Sequence, residues 1–341
     1  MPIDPKLLQK ARAAAAAAGP PPEPKPRIKK ADRAFSPPEL GLRPSRFGIA
    51  EKLYTHYQRC RQDLEYADQF YAFVRQERQQ KIADDAKFAE WLKKKRASDE
   101  PRELRVSASK IKDCARATVL QLMRFPEDPV GLGSPHWNIA ALSGELLHSE
   151  IEMALKFLGL VRRSEFRVYS RAKDLSGIVD IELLGSPVIL DIKTVGVTDF
   201  KEGAWGSKVP GYMAQISVYG RLTNNSIGVI LLLDRGSGKM LDLEFDIDPD
   251  FADKMLRRAT KMVEYAKERK LPKPEKFDER GKPSYECFAF CPFRKVCFLQ
   301  QENGLVEQWL AEGRSVEAIY EAVQQLASGG IEADTEGGDN P

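Results

Sequence analysis

The stretch VILDIKTVG, residues 188–196, places two charges in a segment whose other residues are typical of a buried strand. Asp191 and Lys193 are two positions apart, so in a strand they lie on the same face. Buried charges are rare unless they are paired or bound to a metal ion. The spacing therefore favours an acid that binds a divalent cation, with an ammonium group beside it to act on water and phosphate.

A second acid, Asp180, lies in the preceding strand-like segment SGIVDIEL. If residues 184–187, which include Gly and Pro, form a hairpin loop, Asp180 pairs directly with Asp191. Opposed residues of an antiparallel pair have Cβ atoms about 5 Å apart. Two carboxylates so close repel unless a cation neutralises them, and hard oxygen ligands favour Mg²⁺ or Mn²⁺. A register shifted by one residue would separate the acids onto opposite faces.

The helical segment SGELLHSEIEMALKFL, residues 143–158, contains a histidine that is a candidate for a further ligand. His148 and Glu152 are four residues apart and share a helix face. Gly144, one turn earlier, permits close backbone approach. Imidazole ligation by His148 would shift the preference towards Mn²⁺, whereas the alternative is an ordinary surface or hydrogen-bonded histidine.

Four of the five cysteines have a spacing that indicates metal binding or catalysis rather than disulfides, if the compartment is reducing. Cys287, Cys291 and Cys297 form the pattern C-x₃-C-x₅-C, and 172 residues separate Cys114 from this trio (287 − 114 − 1). Zinc sites usually offer two compact ligand pairs, which this arrangement lacks, but thiolate chemistry alone leaves zinc open.

The elements that must position these residues follow the order helix, strands, helix, strands, which predicts an α/β fold with a mixed sheet. Helices are predicted at 107–124, carrying Cys114, at about 140–158, and at 211–222. A basic helix is predicted from about Pro249. Strands are predicted at 165–170, 176–183, 187–194, 227–234 and 239–247.

Composition separates this core from its flanking segments. We expect a disordered tail rich in Ala, Pro and basic residues, then a helical arm, the core, a C-terminal helix and an acidic disordered tail. The arm carries an apolar stripe that would pack on the body, on a second copy or on a partner. The predicted boundaries are 1–47, 48–100, 101–300, 301–328 and 329–341.

The overall composition, with 42% hydrophobic and 30% charged residues, is typical of a globular protein. No apolar run approaches the roughly 18 residues needed to span a bilayer. The run Ala13–Ala18 is a poor secretory signal, because charged residues precede it and prolines follow, so we expect a cytoplasmic protein without a membrane partner. A net charge of +3 does not indicate nucleic-acid binding, so any basic groove must be local.

The motifs GELLH, GIVD, DIK and QISVY occur in the order found in RecB-type nucleases of the PD-(D/E)XK superfamily, which the chain resembles over roughly 107–300. The resemblance implies a restriction-endonuclease-like core, with a central mixed β-sheet flanked by helices, and metal-dependent DNA cleavage. It also implies that Gln215 and Tyr219 lie beside the site, touching DNA or orienting the lysine. The cleavage site implied by the resemblance comprises His148, Asp180, Asp191, the backbone carbonyl of Ile192, and Lys193.

The cysteines, together with the segment SASKIKDC, resemble the iron–sulfur staple of AddB-type and CRISPR-adaptation nucleases. The resemblance implies a [4Fe–4S] cluster that fastens the C-terminal segment to the helix opening the core, and zinc remains the alternative. Its four ligands would be Cys114, Cys287, Cys291 and Cys297.

The resulting expectation is a metal-dependent deoxyribonuclease, and the resemblance implies an exonuclease acting on DNA ends or single strands in recombination or repair. An endonuclease using the same residues is one alternative, and a non-catalytic DNA-binding or scaffold subunit is another. Lys201, Trp205 and Lys208 suit single-stranded DNA, although a solvated loop with a packed Trp fits equally well. No G-x-x-x-x-G-K-[ST] phosphate loop is present, so unwinding would need a helicase or recombination partner. The arm could also mediate oligomerisation.

Overall fold

The computed structural model describes most of the chain outside its two ends. The segments 1–40 and 329–341, which comprise most of the predicted N-terminal tail and all of the predicted C-terminal one, lie outside the described residues, as do Lys201 and Trp205. No helix of the described part is long and apolar enough to cross a membrane. The described residues are 41–96, 103–128, 135–172, 174–196, 200, 206, 208–276, 283–284, 287 and 291–328.

The elements agree closely with the predicted core pattern. The strands are β1 Arg43–Pro44, β2 Val106–Ser107, β3 Val161–Tyr169, β4 Leu175–Leu183, β5 Val188–Val195, β6 Ile227–Asp234 and β7 Met240–Asp246. The helices are α1 Ile49–Gln62, α2 Leu64–Arg96, α3 Ala115–Leu122, α4 Pro135–Phe157, α5 Val209–Thr223, α6 Pro249–Lys267, α7 Arg294–Asn303, α8 Leu305–Ala311 and α9 Val316–Ser328.

The strands form one mixed sheet in the order β1-β7-β6-β5-β4-β2, with β3 also paired to β4. The pairs β5–β6 and β2–β4 are parallel, whereas β3–β4, β4–β5 and β6–β7 are antiparallel. A central mixed sheet flanked by helices confirms the predicted fold class.

Two compact units divide the chain, and the sheet belongs to the unit formed by Ala31–Ile111 and His136–Ala259. Its core joins apolar residues of α1, α2 and α4 to alternate residues of β4, β5 and β6. Helix α5 packs against β5 and β6. Burial of one Leu, Ile, Met or Phe side chain in this core stabilises the fold by roughly 1.5–3 kcal/mol. The completely buried members include Leu53, Phe70, Met153, Leu155, Ile181 and Leu190.

The second unit includes Lys112–Pro135 and Thr260–Pro341. Within it, the buried carboxylate of Asp128 accepts hydrogen bonds from the backbone N–H of Lys295 and the hydroxyl of Tyr320. The C-terminal segment contains α8 and α9 instead of the single predicted helix, because Gly304 and Gly313 adopt left-handed backbone conformations that end helical turns.

The predicted helix at 107–124 is also shorter than expected. A short 3₁₀ turn, Ala108–Lys110, is separated from α3, and Cys114 occupies the N-cap position of α3 instead of its interior. The backbone of Cys114 is extended (ψ 124°), which interrupts the helical hydrogen bonds at this residue.

Candidate active site

The hairpin β4–β5 adopts the predicted register. Ile181 pairs with Leu190 and Glu182 with Ile189, and one further step of this register places Asp180 opposite Asp191. Oδ2 of Asp180 accepts a hydrogen bond of 2.9 Å from the backbone N–H of Ile192, the residue that follows Asp191 on β5.

Asp191 and Lys193 form a buried ion pair on β5. Nζ of Lys193 lies 2.7 Å from Oδ2 of Asp191, and the carboxylate is 1% exposed. Burial raises the pKa of Asp191 to about 7 despite the opposing effect of Lys193. Among the described residues, Oδ2 of Asp191 makes no contact with hydrogen-bond geometry. Asp191 thus offers a buried carboxylate, paired with an ammonium group, of the hard oxygen type that divalent cations prefer.

The side chain of His148 on α4 contacts the carboxylate of Asp180. Its Nε2 lies 3.1 Å from Oδ2 of Asp180. Burial opposes ionisation of both groups, but the contact between them lowers the pKa of Asp180 and raises that of His148. The predicted close approach at Gly144 is present, since a Cβ there would lie 2.9 Å from Oγ1 of Thr194. The structure thus places the imidazole of His148 beside the carboxylate of Asp180.

Gln215 and Tyr219 on α5 lie beside Asp191. Nε2 of Gln215 lies 3.4 Å from Oδ1 of Asp191 and 3.2 Å from the hydroxyl of Tyr219. Burial raises the pKa of Tyr219 to about 12, so the phenol stays protonated. Both side chains are buried, and Gln215 contacts the acid rather than Lys193. Gln215 thus links the hydroxyl of Tyr219 to the carboxylate of Asp191.

The ring of Tyr219 packs directly against the backbone of Gly177 on β4, where a larger residue would not fit. A Cβ at this position would lie 2.5 Å from Cε1 of Tyr219 and 2.9 Å from Cβ of Ala108. Gly177→Ala should therefore displace Tyr219 and reduce the free energy of unfolding by about 1–3 kcal/mol in urea titrations. Gly211→Ala is the control, because a Cβ there meets nothing within 4 Å. Equal stability of Gly177→Ala and wild type would contradict this packing.

A cleft of about 610 Å³ opens over the site. It contains two residues that no sequence motif indicates, Lys81 of α2 and Glu165 of β3, whose side chains form an ion pair of 2.6 Å. The spacing of these residues carries no local signal, because the fold alone brings α2 next to β3. The cleft is lined by Lys81, Gly144, Glu145, His148, Ser149, Glu165, Ile192, Lys193 and Thr194.

Among the described residues, the potential ligand atoms that lie within 4.8 Å of one another belong to His148, Glu152 and Glu165. Oε1 of Glu152 accepts from the hydroxyl of Ser164 at 2.6 Å and lies 2.9 Å from Nζ of Lys156. Glu152 and Glu165 each pair with a lysine, and Asp191 pairs with Lys193 in the same way. Asp180 and Asp191 differ from the glutamates in lying opposite each other on one hairpin. The spacing of four residues from His148 was the one sequence signal for Glu152.

The basic residues near β3 are engaged with a neighbouring acid. Arg162 and Arg163 lie 3.2 and 2.6 Å from the buried carboxylate of Glu182. Lys208 is exposed, whereas Trp205 and Lys201 lie outside the described residues. The predicted interleaving of basic and aromatic side chains in this loop thus stays a prediction.

The four cysteines predicted to share a centre belong to the second unit. Burial raises the pKa of Cys297 to about 11 and also raises that of Cys291. Charges on neighbouring thiols reinforce both shifts: Cys287 and Cys114 act on Cys291, and Cys114 and Cys291 act on Cys297. The thiols therefore lie within electrostatic reach of one another, but among the described residues no three of their sulfur atoms lie within 4.8 Å of one another. A wider spacing of this kind is compatible with thiolates that hold different iron atoms of a cluster.

Comparisons with known proteins find only distant likeness. No family model matches the chain, and no curated protein matches it. A phage-related exonuclease from Haemophilus somnus 129PT is 16% identical, with 49% of this chain and 95% of that chain covered and a TM-score of 0.39. An alkaline exonuclease from Laribacter hongkongensis is 10% identical, with coverage of 48% and 89% and a TM-score of 0.34. Likeness at this level assigns neither an activity nor a substrate.

Proposed function

We propose that the protein is a metal-dependent DNA nuclease that hydrolyses phosphodiester bonds. The observation that carries the proposal is the buried pair of Asp191 and Lys193, which is aligned with Asp180 and whose lysine lines an open cleft. A purely structural ion pair has no need of a second carboxylate opposite it or of access to a cleft. A phosphodiesterase needs both, because a cation and a phosphate must meet there.

In this proposal the divalent ion, Mg²⁺ or Mn²⁺, is held by carboxylates, one carbonyl and an imidazole. The buried carboxylate of Asp191, opposite Asp180 on the hairpin, is the feature that fits such an ion. When bound, the ion would stabilise charge on the scissile phosphate and on the leaving oxygen. Lys193 holds the attacking water and offsets phosphate charge, while Gln215 keeps Asp191 oriented. The proposed ligands are His148, Asp180, Asp191 and the carbonyl of Ile192.

The finer assignment is an exonuclease that acts on DNA ends or single strands in recombination or repair. Its support is the ordered set of motifs GELLH, GIVD, DIK and QISVY. The spacing of the cysteines, together with the segment SASKIKDC, supports a [4Fe–4S] cluster on the four cysteines of the second unit, with zinc as the competing occupant. Such a centre would act structurally, by holding Cys114 to the C-terminal trio. Unwinding would be supplied by a helicase or recombination partner.

The proposal predicts cleavage that depends on metal and on Asp191. Purified full-length protein is incubated with labelled linear, circular and single-stranded DNA in Mg²⁺, Mn²⁺ or EDTA. We expect cleavage of linear and single-stranded DNA with either metal, none with EDTA and none of circular duplex. Asp191→Asn should abolish cleavage, whereas Asp84→Asn, an exposed acid on α2, should leave it unchanged.

Two outcomes of this assay contradict the proposal. If the wild-type protein leaves every DNA intact, the scaffold or DNA-binding subunit becomes the better assignment. If Asp191→Asn cleaves as fast as wild type, the activity belongs to a contaminant or to another site. Cleavage of circular duplex DNA would retain the nuclease but replace the exonuclease assignment with an endonuclease.

A further inference from the structure

Arg116, in the first turn of α3, is an arginine buried beside a thiol. It is 5% exposed. Its Nε donates to the carbonyl oxygen of Pro272 at 2.8 Å, and its Nη1 lies 3.7 Å from Sγ of Cys297. Among the described residues, no carboxylate forms an ion pair with this guanidinium. Glu275, which is close by, accepts a hydrogen bond from the backbone N–H of Ala115 instead.

Among the residues that the structure describes, the charge of Arg116 has no anionic partner unless the sulfur beside it is a thiolate. A guanidinium stays protonated in proteins, and burial of an unpaired charge is strongly destabilising. The carbonyl of Pro272 and a neutral thiol at Cys297 are dipoles, which cannot neutralise a full charge. A metal-bound thiolate can, because metal ligation deprotonates cysteine.

The position of α3 adds to this preference for negative charge. Its first residue, Ala115, directly follows Cys114, so the positive end of the helix dipole lies next to one thiol of the set. Four thiolates carry more negative charge than one zinc ion or one oxidised iron–sulfur core neutralises. A buried arginine at Cys297 and a helix N-terminus at Cys114 would offset that excess.

We propose that Arg116 is the counter-charge of an anionic metal–thiolate centre formed by the four cysteines of the second unit. The inference rests on the proposed cysteine centre and is independent of the proposed nuclease reaction. Arg116 acts here as a positioning residue: it touches a ligand sulfur, not the metal, and it stabilises the deprotonated, loaded form.

The first measurement is metal retention by the full-length protein purified without oxygen. Arg116→Met removes the charge at similar length, Arg116→Lys keeps the charge, and Thr118→Val changes another buried polar residue of α3. Iron and zinc are quantified, and release to a chelator is followed by absorbance or a metal indicator. We expect Arg116→Met to release metal at least about tenfold faster than wild type. Arg116→Lys should remain nearer to wild type, and Thr118→Val should match it.

The second measurement separates charge compensation from simple packing. Thermal unfolding is recorded for loaded and metal-stripped protein. Arg116→Met should unfold at a lower temperature than wild type when loaded, but at the same or a higher temperature when stripped, because the stripped wild type retains an uncompensated buried charge. A purely structural arginine would give the same loss in both forms. If the stripped proteins show no transition, the release rates decide the question.

Three results would overturn the proposal. Equal release rates for wild type and Arg116→Met would do so, and so would an equal loss of thermal stability in the loaded and stripped forms. Absence of both iron and zinc from the wild-type protein would show that the centre does not form, and Arg116 would then have no such role. The DNA-cleavage assay is separate, so failure of the centre and failure of the nuclease assignment can be told apart.

Discussion

Lys193→Met is expected to reduce DNA cleavage by about a thousandfold, which is the range for loss of a group that handles a proton or water in the transition state. The ammonium group of Lys193 lies 2.7 Å from Asp191 and borders the cleft, so it can contact both the water and the phosphate. Methionine keeps most of the side-chain volume and removes the charge. The measurement is single-turnover cleavage of end-labelled DNA at saturating Mn²⁺.

The matched control is Lys239→Met, which removes an exposed lysine between β6 and β7 and should leave the rate unchanged. Calorimetric titration with Mn²⁺ supplies a second comparison. Lys193→Met should still bind the ion, because the carboxylates of Asp180 and Asp191 remain, whereas Asp191→Asn should lose binding. Full cleavage by Lys193→Met would remove this lysine from the reaction. Loss of Mn²⁺ binding in that variant would reassign it to holding the acid in place.

Elements that depend on local pattern were predictable from the sequence. The apolar run IGVILLLD was predicted as a strand over 227–234, and β6 covers Ile227–Asp234. Its residues are buried along the whole length, which is why an uninterrupted apolar run was a sufficient signal. The hairpin register was likewise predictable, because the four-residue loop at 184–187 fixes how the strands on either side pair.

Helix boundaries were less predictable, although their signals are local. Gly304 (φ 67°) and Gly313 (φ 78°) adopt left-handed conformations that divide the C-terminal segment, and glycine is the residue that most readily adopts them. Cys114 gave no comparable signal, since cysteine is not a preferred N-cap residue. The extended backbone of Cys114 is thus a feature that a pattern of apolar spacing could not reveal.

Parts of the site that depend on tertiary placement were not predictable. Lys81 and Glu165 are 84 residues apart and meet only because α2 lies next to β3. Arg116 has no distinguishing sequence context either, and its burial against Cys297 depends on how residues 181 positions apart are brought together. Charged residues of this kind appear in a sequence as ordinary surface positions. Their partners become visible only in the folded chain.

Cys297→Ala is expected to remove metal from the protein and to lower its thermal stability by roughly 10 °C. The thiol is buried in α7, and among the described residues its sulfur lies beside the guanidinium of Arg116. A centre that joins Cys114 to the C-terminal trio closes a loop of 172 intervening residues (287 − 114 − 1). In the chain-entropy account a link over more than a hundred residues contributes about 4–5 kcal/mol. One kcal/mol corresponds to about 2–4 °C for domains of this size.

The control for this prediction is Cys60→Ala in α1, which removes a cysteine of the other unit and should leave the metal content unchanged. The readouts are elemental analysis for iron, sulfide and zinc, and differential scanning calorimetry. Full metal content in Cys297→Ala would exclude this thiol as a ligand. Because the proposed linkage lies in the second unit and the cleft residues belong to the other, folded Cys297→Ala should still cleave DNA. Cleavage lost in proportion to metal, with folding intact, would instead place the centre in the reaction.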